Sequence, residues 1–88
     1  MRVEVLLFGP AGAAVNSDRV AVEVAECEPG VCTVREALQA LQAQHPALRS
    51  AIGTIERARL AVNHQYASAE TKIRPGDEVA LIALVGGG

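Results

Sequence analysis

The most distinctive group in this chain that could do chemistry is a terminus. The sequence closes on Val85-Gly86-Gly87-Gly88, directly after the apolar run Val79-Ala80-Leu81-Ile82-Ala83-Leu84. Glycine alone lets a backbone pass through a channel too narrow for any Cβ. Four extended residues reach roughly 13 Å, enough to carry the terminal carboxylate of Gly88 into a partner's pocket. That carboxylate is the candidate reactive group, with Gly86 and Gly87 as its slim arm. A frayed end is the competing reading, since chain ends are commonly polar and disordered.

Other chemistry is thinly represented. Cys27 and Cys32 flank Pro29-Gly30, and two ligands cannot complete a tetrahedral zinc or iron–sulfur site. His45 and His64 lack zinc-type spacing, so no metal site is expected. A loop disulfide is disfavoured in a reducing compartment, which leaves free thiols near a helix start as the expectation. Gly9-Pro10-Ala11-Gly12 lacks the Gly-Lys-Ser/Thr ending of a phosphate loop. Glu23, Glu26 and Glu28 read as solvated surface, and no Ser-His-Asp or Cys-His pairing has a supporting context. The chain is not self-sufficient as an enzyme, and no cofactor bound by the chain itself is expected.

Composition narrows the partners. Of 88 residues, 50% are hydrophobic and 20% charged, with a net charge of −2. Phosphate neutralisation needs clustered Lys and Arg, so a strongly basic nucleic-acid binder is excluded and protein partners fit better. Trp is absent, and Phe8 and Tyr66 are the only aromatic residues. The core must therefore come from Ala, Val, Leu and Ile, with some apolar surface left for docking. The run Val3 to Phe8 is too short for a secretory signal, and Val79 to Val85 is too short to span a membrane. A cytoplasmic protein is the expectation.

These groups must be positioned by short elements. Val3 to Phe8 predicts a strand. Gly9 to Asp18 is a small-residue loop with room for a helical turn at Ala11 to Ala14. Arg19 to Val24 alternates, with Val20, Val22 and Val24 on one face, and completes a hairpin. After a turn-rich connector, Ala25 to Cys32, the sequence Thr33-Val34-Arg35-Glu36 forms a capping box. Val34, Ala37, Leu38 and Leu41 then recur on one helical face until Pro46 stops the helix. His45 reads as a dipole partner or a solvated residue. A short second helix over Ala47 to Ile52, a strand at Arg59 to Val62, a turn at Asn63-His64-Gln65 and a short strand at Tyr66-Ala67 follow. Pro75-Gly76-Asp77 is a strong turn signal. The last strand, Glu78 to Leu84, is almost continuously apolar, which suits a central strand covered on both faces and open to parallel pairing. The order predicts an α+β roll, a mixed sheet folded over one helix, with residues 1–84 as the domain and 85–88 as a flexible glycine tail.

Pro75-Gly76-Asp77-Glu78-Val79-Ala80-Leu81-Ile82 and the glycine terminus resemble the C-terminal signature of ubiquitin-like β-grasp sulfur carriers. The resemblance is strongest to the small subunit of molybdopterin synthase, the MoaD family. Leu6-Leu7-Phe8-Gly9 resembles that family's first strand, Thr33-Val34-Arg35-Glu36-Ala37-Leu38 its helix start, and Leu60-Ala61-Val62-Asn63 the strand before its short hairpin. The resemblance implies that an ATP-dependent, ubiquitin-activating-like adenylating enzyme activates the Gly88 carboxylate. Sulfur then replaces one oxygen to give a thiocarboxylate, and the tail inserts into the large catalytic subunit of the synthase. There the sulfur passes to cyclic pyranopterin monophosphate during molybdenum cofactor biosynthesis. It also implies a docking face containing Phe8, Tyr66 and Ile82, although Ile82 reads equally well as core.

Family members often carry Pro-Pro where Ala83-Leu84 stand, and Ser or Thr where Gly86 stands. Without the proline restraint on φ the tail is freer, so insertion costs more ordering entropy. Three further readings stay open: a carrier for thiamine thiazole, cysteine or tRNA thiolation; a protein modifier joined through Gly88 to lysines; and a β-grasp interaction module whose terminus is inert.

Overall fold

The computed structural model describes residues 1–49 and 59–82. Strand β1 (Arg2–Leu7) alternates with Val3, Val5 and Leu7 buried, as a strand with one covered face must. A helix α1 (Pro10–Val15) follows, longer than the turn expected there, with Pro in its first turn where a missing N–H costs nothing. Strand β2 (Arg19–Glu23) runs antiparallel to β1, with Val3 opposite Val22 and Val5 opposite Val20.

The connector is ordered by its own backbone. Val31 N–H donates to Glu28 O at 2.9 Å, and Cys27 N–H to Val31 O at 2.8 Å. It leads into β3 (Cys32–Thr33), which pairs with β6 (Lys72–Ile73) as a second, two-stranded sheet absent from the sequence reading. Helix α2 (Val34–Gln44) starts at the expected capping box. Glu36 N–H donates to Thr33 Oγ1 at 3.3 Å, and Thr33 N–H to Glu36 Oε1 at 3.0 Å. Val34 and Arg35 N–H donate to Thr71 O and Ala69 O, which satisfies two further first-turn amides. Val34, Ala37, Leu38 and Leu41 form the buried face. After the cap at His45 the chain makes a three-residue 3-10 turn, Pro46–Leu48, with Leu48 buried. This turn covers the first part of the second helix expected over Ala47 to Ile52; Arg49 is helical, and residues 50–52 of that expectation lie outside the described residues.

Strand β4 (Arg59–Val62) and strand β5 (Gln65–Ala67) form a hairpin across Asn63-His64. Both turn residues have positive φ, 52° and 69°, the conformation a two-residue hairpin needs to match strand twist. Gln65 belongs to the strand rather than to the turn. Strand β7 (Val79–Ile82) lies at the centre of the five-stranded sheet β2-β1-β7-β4-β5, parallel to β1 and antiparallel to β4. Central placement and parallel pairing agree with the sequence reading. Coverage on both faces does not: Val79 and Leu81 are buried, whereas Ala80 and Ile82 are only half-buried. The core is aliphatic, and no polar or charged residue is buried among the described residues. No helix among them is long and apolar enough to cross a membrane.

Candidate functional site

The register of β7 decides which of its residues face the core, and two turns fix it. In the first, Arg74-Pro75-Gly76-Asp77, Asp77 N–H donates to Arg74 O at 3.1 Å and Gly76 sits at φ +88°. That is a type II turn, whose third position favours glycine. The second is the β4–β5 turn. Asn63 Nδ2 donates to Asp77 Oδ1 at 3.0 Å, and Glu78 N–H donates to Asn63 Oδ1 at 2.9 Å. Asn63 N–H also donates to Glu78 O at 2.8 Å. The second Asp77 oxygen accepts from Arg74 N–H at 2.8 Å. These bonds to the ionised carboxylate hold Asp77 below the ordinary aspartate range, the Arg74 backbone bond first and the Asn63 bond second. The clasp sets Val79 opposite Val62 and Leu81 opposite Leu60.

The candidate docking residues fall on the sheet face away from α2. Directly opposed residues share a face. Leu6 is level with Ala80, Ala80 with Ala61, and Ala61 with Tyr66, a row that crosses four strands. Tyr66 is 78% exposed at the end of that row. Phe8, 56% exposed, follows β1 directly, one residue after Leu7, which is level with Leu81; Ile82, the residue after Leu81, is half-buried. Phe8 and Ile82 thus each come one residue after the Leu7–Leu81 pair, with Tyr66 further across the sheet. Ile82 is not a core residue; the core positions of β7 are Val79 and Leu81. Sequence reasoning missed Leu6, Ala61 and Ala80, and only strand register could have placed them. Gly86, Gly87 and Gly88, with Ala83 and Leu84, lie outside the described residues.

The remaining candidates do not assemble into a reactive centre. Cys27 is exposed and Cys32 buried, both as free thiols. Burial, and then the Glu36 carboxylate, push the Cys32 thiol up, away from the thiolate that nucleophilic chemistry uses. Lys72 Nζ donates to Glu28 Oε1 at 2.6 Å and ties β6 to the connector. His45 Nε2 lies 3.1 Å from Ala21 O, and His64 Nε2 lies 2.7 Å from Glu78 Oε2. No group of three His, Cys, Asp or Glu side chains clusters among the described residues.

Comparison with protein-family models gives a match over residues 5–88 to the ThiS family. The chain belongs to that family. Comparison with curated protein sequences finds no match. Among solved structures, the chain is similar to SAMP1 from Haloferax volcanii, with 31% identity, a TM-score of 0.77 and complete coverage of both chains. It is similar as well to a chain in the complex of subunits 1 and 2 of molybdopterin-converting factor from Helicobacter pylori, with 25% identity, a TM-score of 0.62 and complete coverage of both. The small archaeal modifier protein 1 of Methanosarcina acetivorans shares the fold, at 22% identity and a TM-score of 0.71, with 99% of this chain and 96% of that one covered. The fold is the ubiquitin-like β-grasp: a mixed five-stranded sheet on one main helix. At family level the chain is a ThiS/MoaD-type sulfur carrier or ubiquitin-like modifier.

Proposed function

We propose that this chain is the sulfur-carrier subunit of a molybdopterin synthase, acting through the Gly88 carboxylate. The observation that carries the reading is the apolar outer face around β7: the Leu6–Ala80–Ala61–Tyr66 row, with exposed Phe8 directly after β1 and half-buried Ile82 directly after Leu81. A partner that covers this face is placed to receive the arm, and an exposed aromatic anchor beside an apolar row is a common hot-spot arrangement. The likeness to a chain in the Helicobacter pylori complex supports a large catalytic subunit as that partner.

The chemistry requires nothing catalytic from this chain. A carboxylate repels nucleophiles through its charge. Attack of a Gly88 oxygen on the α-phosphorus of ATP, held by the activating enzyme, displaces pyrophosphate and leaves an acyl adenylate. A sulfur nucleophile then displaces AMP to give the thiocarboxylate. The chain contributes a docking face, a β7 register fixed by the Asn63–Asp77–Glu78 clasp and an arm of three glycines, Gly86 to Gly88. Residues 1–84 act as the folded carrier and 85–88 as the tail that carries the arm.

A second reading, protein modification through Gly88, is favoured by the 31% identity to SAMP1. Co-expression with an adenylating enzyme separates the two. Lysine-linked adducts on other proteins support the modifier, whereas co-purification with a large synthase subunit and sulfur transfer to cyclic pyranopterin monophosphate support the carrier. Full activity after deletion of Gly88 overturns both.

A further inference from the structure

Strand β2 is one edge of the main sheet, and most of its outward backbone groups are occupied. Met1 and Val24 exchange backbone hydrogen bonds, and Leu7 N–H donates to Asp18 O. Antiparallel ladders alternate, so the backbone groups of Val20 and Val22 face β1, and those of Arg19, Ala21 and Glu23 face outward. An edge of this kind is a template for another strand. Here side chains occupy it. Ser17 Oγ donates to Arg19 O at 2.7 Å and accepts from Arg19 N–H at 3.3 Å. His45 Nε2, in the tautomer that carries its proton there, donates to Ala21 O at 3.1 Å. Gln44 Oε1 accepts from Glu23 N–H at 2.9 Å, while its Nε2 donates to Glu23 O at 2.6 Å. The Gln44 amide therefore bonds Glu23 as an added strand would. Of the outward groups, only the Ala21 N–H has no such partner among the described residues.

We propose that Ser17, Gln44 and His45 form a side-chain cover that closes the β2 edge to strand addition, and that the strand kept out is β2 of a second copy of this chain. The sequence of β2 identifies that occupant. Antiparallel pairing of two copies about Ala21 uses the outward groups at 19, 21 and 23 and sets Arg19 of each copy opposite Glu23 of the other. Opposite charges directly across a ladder are favourable, and the pair is self-complementary, as a two-fold interface must be. The cover spends those same backbone groups within one molecule and leaves the outer sheet face free for other partners.

The test is sedimentation velocity of the full chain against concentration. Wild type remains monomeric, whereas Gln44→Ala/His45→Ala forms dimers at concentrations at least about tenfold lower, as expected when several net hydrogen bonds move from within to between chains. Adding Ala21→Pro removes an outward N–H from an edge strand, where proline is tolerated, and returns the double variant to monomer. A folded double variant as monomeric as wild type overturns the proposal. So does a dimer that Ala21→Pro leaves intact, or wild type that itself pairs through β2. If the double variant does not fold, Gln44→Met keeps the helix and the stem of the side chain. Amide exchange at Glu23 should then quicken about fivefold to tenfold while Val22 is unchanged. Unchanged exchange at Glu23 overturns the cover.

Discussion

Phe8 and Asp77 have different expected roles in the proposed site. Phe8 is large, apolar and 56% exposed, so replacing it should disturb partners more than the fold. Phe8→Asp is expected to weaken binding of the adenylating enzyme or large subunit at least about tenfold, the loss of one modest hot spot. The midpoint of unfolding should stay within the range of an ordinary surface change, about 0.5 kcal/mol. Calorimetric titration alongside a denaturant curve checks both, and unchanged affinity removes Phe8 from the interface. Asp77 acts through the clasp instead. Its pKa is depressed in the folded chain, so its contribution is present above the unfolded value and disappears as pH falls through the folded one. The expected signature is an acid limb below about pH 4 that is shallower in Asp77→Asn than in wild type. Identical pH profiles would show that the carboxylate charge contributes nothing to the clasp.

Each element carries its own consequence. Thr33→Ala removes half of a reciprocal cap at α2 and is expected to cost about 1 kcal/mol, measured by urea unfolding. Leu60→Ala opens a fully buried position on β4 and should cost about 2–5 kcal/mol, a large share of the 5–15 kcal/mol typical of a domain. Helix α2 was legible in the sequence because a capping box and the Val34, Ala37, Leu38 and Leu41 spacing are local. Strand β2 was legible because Val20, Val22 and Val24 alternate. Strand β6 was not, because Lys72-Ile73 is a strand only by pairing with Cys32-Thr33 far back in the chain. Strand β7 was placed correctly at the centre but read as doubly covered. Apolar residues on an open face look the same in sequence as apolar residues on a covered one, and only burial separates Leu81 from Ile82.

At the scale of the molecule, the sheet divides its work between its two faces, and its β2 edge is occupied by side chains. One face packs on α2 and forms the aliphatic core, while the other carries the Leu6–Ala80–Ala61–Tyr66 row, with Phe8 and Ile82 directly after the level pair Leu7 and Leu81. Phe8 and Tyr66 entered as docking candidates through the family resemblance, favoured further because they are the only aromatic residues. The row between them required register, which no local pattern encodes. Family membership over residues 5–88 and this open face are consistent with the proposal that the chain is held by a partner while its terminus is chemically charged. The most direct test is intact mass spectrometry after incubation with ATP, an adenylating enzyme and a sulfur donor, with fragmentation to place the change. The account predicts a mass increase of one oxygen-to-sulfur exchange, located on Gly88 and absent when Gly88 is deleted. An unaltered mass under conditions in which a known carrier is converted, or sulfur located on Cys27 or Cys32 instead, would contradict it.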